Sequence, residues 1–240
     1  MYRSGKIGIF GHRGDSAHQP ENTMAAFQAA MEQGADGIET DFRLTKDSIM
    51  VCFHDDTLER TAGRAVKVSD LTYEELNQLV LSHPFFQGNK VPRVVDLCAW
   101  RPEGCLFMLE LKDKQYRQPA VAGELLDMLA RSISFDNLWI SSFDIESLET
   151  VRKLDPSIPL VFISRDYYSP ADLWVDGYSP YYTVFEEHPD LSLRAAELGK
   201  FITVWDPFPE QRYEQHKQWG TAFVTPNDPG AFVRLQQADS

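Results

Sequence analysis

Two carboxylates at alternate positions of one apolar run have the spacing that most directly indicates chemistry. Glu39 and Asp41 lie in the run from Gly37 to Arg43. Because residues two apart in a β-strand point to the same face, both carboxylates face the same way. Their mutual repulsion is tolerable if a divalent cation lies between them or if they face bulk water. The apolar neighbours indicate a buried strand, where unpaired charge is costly, and therefore favour a metal site.

Two histidines fall close to this acidic pair. His12 follows the first apolar run of the chain, and His54 ends a run that begins at Ile49. The segment 44–48 before that run is far shorter than the roughly twelve residues that a parallel crossover needs, so we predict an antiparallel hairpin. The hairpin would bring His54 beside Asp41. Two imidazoles near a cation form a set suited to general acid and base chemistry.

Charge and cysteine content limit the partners. The formal net charge of −13 argues against nucleic acid and against stable membrane association, because phosphates are repelled except at a local cation. Cys52, Cys98 and Cys105 are odd in number and lack paired metal-ligand spacing, which predicts buried reduced thiols in a cytoplasmic protein. The N-terminal segment 1–6 lacks the apolar stretch of a signal peptide, and no segment is apolar enough to span a membrane.

Apolar runs and helical segments alternate along the 240 residues, which predicts one α/β domain over residues 1–240. We predict eight barrel strands: Ile7 to Gly11, Gly37 to Arg43, Leu106 to Lys112, Leu138 to Ser142, Leu160 to Ser164, Tyr182 to Phe185, Phe201 to Trp205 and Ala222 to Thr225. The first helix should begin after Thr23 and end at Gly34. Asp144 should cap a later helix that stops before Pro156.

The region from about residue 48 to residue 104 interrupts this alternation between the second and third barrel strands. It is far longer than the usual connection. Thr72 and Glu75 match a capping box, and Leu76, Leu79 and Val80 give the helix that follows an apolar side. We predict a small insertion that packs over the barrel mouth.

Short motifs with catalytic residue types follow one another along the chain. They are His12-Arg13-Gly14, Pro20-Glu21-Asn22-Thr23, Ile38-Glu39-Thr40-Asp41, Thr45-Lys46-Asp47, His54-Asp55, Leu109-Glu110-Leu111-Lys112, Ser142-Phe143, Trp205 and Thr225-Pro226-Asn227-Asp228-Pro229. Each motif alone is weak evidence, but the ordered set resembles the glycerophosphodiester phosphodiesterase family over most of the chain. The resemblance implies a (β/α)8 TIM barrel that hydrolyses a small-molecule glycerophosphodiester to sn-glycerol 3-phosphate and an alcohol.

The resemblance also implies roles for the acidic residues and the histidines. Glu39, Asp41 and Glu110 would hold one divalent cation through hard oxygen ligands, which suit Mg2+, Ca2+ or Mn2+ better than Zn2+. His12 and His54 would divide the acid and base roles. The sequence does not decide which histidine is the acid.

Four further residues would bind the substrate. The resemblance implies that Arg13 and Lys112 take phosphate charge, and that Phe143 and Trp205 line the pocket for the alcohol. The chain departs from the family pattern at residues 205–208 and 225–229. The resemblance therefore leaves recognition of the alcohol open.

Two other functions stay open. A related barrel phosphodiesterase for lysophospholipids or sphingomyelin needs an apolar entry surface, and the sequence has no obvious exposed apolar segment. A catalytically silent barrel that senses a phosphometabolite would have lost a ligand or a histidine, and none is missing. The sequence indicates no oligomeric state.

Overall fold

The computed structural model describes residues 6–131 and 137–239. Its strands are β1 (Gly8–His12), β2 (Gly37–Leu44), β3 (Met50–Cys52), β4 (Thr57–Leu58), β5 (Arg64–Lys67), β6 (Leu106–Leu111), β7 (Leu138–Ser142), β8 (Leu160–Ser164), β9 (Gly177–Pro180), β10 (Phe201–Val204) and β11 (Phe223–Val224). Its helices are α1 (Met24–Glu32), α2 (Glu59–Ala62), α3 (Tyr73–Leu81), α4 (Val94–Trp100), α5 (Pro119–Ala130), α6 (Ile145–Leu154), α7 (Thr183–Glu187), α8 (Leu191–Glu197), α9 (Tyr213–Gln218) and α10 (Pro229–Ala238). The segment 1–5, for which we predicted no signal peptide, lies outside the described residues.

Eight parallel strands close into a barrel, which confirms the predicted (β/α)8 fold. The order around the ring is β1, β11, β10, β9, β8, β7, β6 and β2, and β1 pairs with β2 to complete it. Aromatic side chains near the amino ends of the strands fill the interior, with Trp139 lying 5.1 Å from Phe10 and 4.5 Å from Phe201 between ring centroids. This packing fills the interior of the barrel toward the amino ends of the strands.

Seven predicted strands overlap the observed ones, and two of them, Leu138–Ser142 and Leu160–Ser164, have the observed bounds. The strand predicted at Tyr182 to Phe185 is wrong, because β9 lies at Gly177–Pro180 and most of the predicted segment is helix α7. Glycine, serine and proline give β9 the composition of a turn, whereas the aromatic and β-branched residues after it have high strand propensity. Burial overrides propensity here, since all four residues of β9 are buried.

Gly177 has a packing reason to lie in a barrel strand. A Cβ at this position would lie 2.4 Å from the ring of Phe201, so only glycine leaves room for that ring in the barrel interior. The segment 165–176 that leads from β8 to β9 contains no helix, so the barrel is irregular between these two strands.

Helix ends follow the predicted capping. Thr23 caps α1 by accepting a hydrogen bond from the backbone of Ala26, and Asp144 caps α6 through Ser147. Thr72 forms the predicted capping box of α3. These local signals depend on neighbouring residues alone, which is why the sequence reveals them.

The segment between β2 and β6 begins with the predicted hairpin. Strand β3 is antiparallel to β2, and the backbone N–H of Phe53 donates to the carbonyl of Asp41 at 2.9 Å. Much of the segment forms its own apolar cluster, whose members include Leu58, Leu76 and Phe86. Helix α4 instead packs into the barrel core. Among the described residues, no helix is long and apolar enough to cross a membrane.

Candidate active site

A cavity opens at the carboxyl ends of the barrel strands. Its lining includes eight of the nine site residues predicted from the sequence: His12, Arg13, Glu39, His54, Glu110, Lys112, Phe143 and Trp205. Asp41, the ninth, is 1% exposed and adjoins the cavity through its neighbours Glu39 and Glu110. Met108, Ile163, Ser179 and Thr225 complete the lining. Thr225 belongs to one of the motifs noted in the sequence but had no predicted role, and the other three were not singled out.

Three buried carboxylates cluster at this cavity, and two of them, Glu39 and Glu110, line it. Asp41 on β2 is the register partner of Glu110 on β6, and Glu39 precedes Asp41 on the same face of β2. One oxygen from each residue lies within 4.8 Å of the others. Carboxylate oxygens at this spacing suit a hard divalent cation, so the residues present fit the predicted metal site.

Two cationic side chains partly neutralise the carboxylates. Lys112 Nζ lies 3.0 Å from Asp41 Oδ1 and 2.6 Å from Glu110 Oε1. Arg13 Nε lies 3.3 Å from Asp41 Oδ2, but it is buried without a well-aligned hydrogen bond to any described residue. A buried donor without a hydrogen-bond acceptor is costly, so Arg13 Nε can accommodate an anionic ligand.

The local backbone presents Arg13 to this cluster. Arg13 adopts a φ of 57°, in the left-handed region, and its N–H donates to the carbonyl of Glu39 at 2.9 Å. Gly14 follows with a φ of 82°, and a Cβ there would lie 2.5 Å from the backbone of Ala26. The His-Arg-Gly motif is therefore a tight turn that only glycine allows at its third position.

The carboxylates differ in their affinity for a proton. Burial, and then the charges of Asp41 and Glu110, raise the pKa of Glu39 well above its ordinary value. Burial raises the pKa of Glu110 to about 7 against the opposing effect of Lys112. Burial also acts on Asp41, but Lys112 and Arg13 outweigh it and lower its pKa. The metal-free cluster therefore retains protons that a divalent cation would displace.

This proton uptake predicts how the stability of the metal-free protein depends on pH. The pKa of Glu110 is about 7 in the folded state against 4.5 ordinarily, so its stabilising contribution is complete below pH 4.5 and is lost as pH rises through 7. Glu110→Gln cannot ionise. We therefore expect its stability relative to the parent to increase between pH 5 and pH 8, by on the order of 1 kcal/mol or about 2–4 °C in Tm.

Thermal denaturation in chelator at several pH values measures this difference. Glu197→Gln, on the exposed side of α8, is the matched control, and its Tm difference from the parent should not vary with pH. A Tm difference for Glu110→Gln that is the same at pH 5 and pH 8 would contradict the prediction.

The two histidines have similar geometry and different partners. His12 Nδ1 lies 2.6 Å from Asn227 Oδ1, and His54 Nδ1 lies 2.6 Å from Asp55 Oδ1. Burial, reinforced by Arg13, lowers the pKa of His12 to about 3. Burial also lowers the pKa of His54, whereas Asp41 and the hydrogen bond to Asp55 raise it. Each ring can thus donate through Nδ1, which leaves Nε2 for chemistry.

Several supporting residues went unrecognised in the sequence. Asn22 donates from Nδ2 to Asp41 Oδ2 at 2.8 Å and accepts from Thr40 Oγ1 at 2.7 Å. Arg60 on α2 donates to Glu21 Oε1 at 2.6 Å and to Asp55 Oδ2 at 2.7 Å. Asn22 and Glu21 belong to the Pro-Glu-Asn-Thr motif, which could have revealed them. No sequence signal marked Arg60.

Aromatic side chains form the opposite side of the cavity. Phe143 and Trp205 meet edge to face with their ring centroids 5.7 Å apart. Lys112 Nζ lies 5.7 Å from the centroid of the Phe143 ring, which is within the range of a cation–π contact. Phe143 is 43% exposed, so this side of the cavity opens to solvent.

The fold and the cavity together define a class of protein. Active sites of TIM-barrel enzymes lie at the carboxyl ends of the strands, where this cavity opens. A carboxylate cluster that fits a divalent cation, two imidazoles and two cationic side chains form a set suited to metal-assisted hydrolysis of a phosphate ester. The site is therefore that of a phosphoric ester hydrolase.

Comparisons with known proteins identify the family. The profile of the Glycerophosphoryl diester phosphodiesterase family matches residues 12–230. A glycerophosphodiester phosphodiesterase from Bacillus altitudinis is 35% identical over 72% of this chain and 74% of its own. One from Caldanaerobacter subterraneus subsp. tengcongensis is 30% identical over 95% of this chain and 96% of its own. The chain belongs to the glycerophosphodiester phosphodiesterase family and is an enzyme of this class.

A solved structure has the same fold. The structure of an Oleispira antarctica phosphodiesterase in complex with the product sn-glycerol-3-phosphate superposes with a TM-score of 0.85. It is 23% identical in sequence and covers 97% of this chain and 97% of its own. This similarity confirms the barrel.

Proposed function

We propose that this phosphodiesterase hydrolyses glycerophosphodiesters to sn-glycerol 3-phosphate and a free alcohol, with the whole chain acting as one catalytic domain. The observation that carries the proposal is that two histidines and two members of a cluster of three buried carboxylates line one cavity. The relative from Oleispira antarctica, whose structure contains sn-glycerol-3-phosphate, supports this choice of product. A cytoplasmic location and the absence of nucleic-acid and stable membrane partners stay predictions.

Glu39, Asp41 and Glu110 would hold one divalent cation, with Mg2+, Ca2+ and Mn2+ as the candidates. The cation, when bound, would neutralise charge on a non-bridging phosphate oxygen. Arg13 and Lys112 would neutralise the remaining negative charge of the phosphate. Both line the cavity, and both lie beside the carboxylate cluster at ion-pair distance from Asp41.

We assign the base role to His12 and the acid role to His54. The amide oxygen of Asn227 orients His12 without adding charge, and burial keeps its imidazole neutral. The carboxylate of Asp55 favours the protonated form of His54. A neutral imidazole can accept a proton, and a protonated one can give its proton to the leaving alcohol.

The first nucleophile in this mechanism is the hydroxyl of the substrate's glycerol that neighbours the phosphate ester. His12 removes its proton, the new oxygen–phosphorus bond forms, and the bond to the alcohol breaks as His54 protonates the leaving oxygen. Water then opens the resulting cyclic phosphate, with the proton transfers reversed. The motivation is that the motifs contain no cysteine, and that their one serine, Ser142, is buried and donates its hydroxyl to the carbonyl of Leu111 at 2.9 Å.

The acid and base assignment predicts opposite effects on the pH profile of kcat/KM. Asp55→Asn removes the carboxylate that raises the pKa of His54, so the basic limb should move to lower pH by roughly one unit. Asn227→Asp places a carboxylate on His12 Nδ1, so the acidic limb should move to higher pH by roughly the same amount. Initial rates at low substrate concentration across the pH range measure both limbs.

Asp55 also accepts a hydrogen bond from Arg60, so Arg60→Gln is the matched control. It removes the ion pair but keeps the carboxylate beside His54, and it should not lower the basic limb. If Asp55→Asn moves the acidic limb instead, the two roles are reversed. If neither substitution moves either limb, the histidine mechanism is wrong.

A panel of glycerophosphodiesters, assayed for release of glycerol 3-phosphate, tests the proposed reaction. Glycerophosphocholine and its lysolipid counterpart belong in this panel, because they differ only in the acyl chain. Turnover of the lysolipid alone would replace the proposed function with that of a lysophospholipid phosphodiesterase. Binding of glycerophosphodiesters without turnover would contradict the proposed catalytic function.

A further inference from the structure

Arg165 lies at the cavity mouth on the side away from the carboxylates. It follows Ser164, the last residue of β8, and its guanidinium carbon lies 4.5 Å from the ring centroid of Trp205 and 5.1 Å from that of Tyr181. Trp205 in turn lines the cavity and contacts Phe143. Arg165 is therefore one aromatic ring away from the proposed alcohol pocket.

The charge of Arg165 is not neutralised within the described part of the chain. Arg165 is exposed, and its guanidinium forms no ion pair or hydrogen bond with another described residue, although Asp166 follows it directly. The neighbouring cation Arg212 differs, because its Nη1 lies 3.0 Å from Asp206 Oδ2. In a chain with a formal net charge of −13, an uncompensated cation at the mouth is available to a ligand.

The chemistry of this arrangement favours a negatively charged ligand over a positively charged one. A guanidinium presents donors in a planar fork that matches carboxylate and phosphate groups. The same guanidinium already covers the faces of Trp205 and Tyr181, so a quaternary ammonium would have to displace it to reach them.

We propose that Arg165 forms a subsite for the alcohol moiety and selects glycerophosphodiesters whose alcohol carries a carboxylate or a second phosphate over those whose alcohol carries a quaternary ammonium. This inference rests on the proposed function, because it assumes that Phe143 and Trp205 border the alcohol. It makes Arg165 a specificity-determining residue with no part in the bond-breaking step.

Three diesters of similar size test the subsite: glycerophosphoglycolate has an anionic alcohol, glycerophosphoethanol a neutral one and glycerophosphocholine a cationic one. The measured quantity is kcat/KM from release of glycerol 3-phosphate. We expect the wild type to prefer the anionic over the cationic diester. Arg165→Gln should lower that ratio roughly fivefold, the scale of one partly screened charge interaction, and Arg165→Glu should lower it further.

Two control variants separate a charge effect from a structural one. Arg165→Lys keeps the charge and should keep most of the preference. Arg131→Gln, at the exposed end of α5, removes an equal charge elsewhere and should leave the ratio unchanged. The neutral diester should change by less than about twofold in every variant, because it makes no charge interaction with Arg165.

The outcomes distinguish this inference from the proposed function. An unchanged ratio in Arg165→Gln, with normal turnover of the neutral diester, overturns the subsite and leaves the function intact. A ratio that falls equally in Arg165→Lys and Arg165→Gln also overturns it, because the charge is then not the cause. Absence of glycerol 3-phosphate from all three diesters with the wild type overturns both.

Discussion

Chelation is expected to abolish hydrolysis of glycerophosphocholine, and added Mg2+, Ca2+ or Mn2+ is expected to restore it. The reason is the cluster of Glu39, Asp41 and Glu110 beside the cavity, in which one oxygen from each residue lies within 4.8 Å of the others. Without a cation, burial keeps the pKa of Glu39 and of Glu110 high and only part of the cluster is ionised. Dialysis against EDTA, followed by titration of each cation into the activity assay, measures the dependence.

Variants of the cluster sharpen this test. Glu110→Gln removes one anionic ligand and should raise the cation concentration for half-maximal activity by roughly tenfold or more. His18→Gln is the matched control, because His18 belongs to a second acidic group with Asp15 and Asp228 that lies apart from the cavity lining. Its activation curve should match that of the parent. Full activity in excess chelator would refute the proposed metal dependence.

A substrate that lacks the neighbouring hydroxyl is expected to react at least about a thousandfold more slowly, because intramolecular attack reaches effective molarities of roughly 10^5 M or more. His12, the proposed base for this hydroxyl, lines the cavity together with Arg13 and Lys112. The measurement is single-turnover kinetics on glycerophosphocholine and its 2-deoxy analogue. Phosphorus NMR during the reaction should detect a cyclic phosphate only with the first substrate.

A control must show that the 2-deoxy analogue still binds to the enzyme. The 2-deoxy analogue should inhibit hydrolysis of glycerophosphocholine at a concentration close to the KM, since the contacts proposed for Arg13 and Lys112 are to the phosphate and not to the missing hydroxyl. Equal single-turnover rates for the two substrates would instead show direct attack by water, and the family assignment would be unaffected.

The predictable part of the site depends on strand geometry. Glu39 and Asp41 share a face because side chains alternate along β2, and Glu110 joins them because β6 is the parallel neighbour of β2 in register. His54 could be placed beside this pair because a short connection requires a hairpin. These inferences need only the pattern along two or three strands.

The features that the sequence did not reveal depend on contacts between segments that are distant along the chain. Arg60 reaches Glu21 across 39 positions of sequence, and no local pattern predicts that pairing. The position of Arg165 over Trp205 likewise depends on how two loops leave neighbouring parts of the ring. The strand β9 escaped prediction because burial decided its conformation and its composition did not.

The residues proposed for catalysis and those proposed to contact the alcohol lie on different parts of the ring of strands, so mutations can change one group without the other. The proposed base and metal ligands lie on β1, β2 and β6, and the proposed acid, His54, follows the hairpin strand β3. Arg60 connects the segment after β2 to the first loop through Glu21. Phe143, Arg165 and Trp205 follow β7, β8 and β10. If the proposed alcohol pocket is correct, exchanging the loops of the second group should change the preferred alcohol, whereas deleting residues 54–60 would remove His54 and Arg60 together.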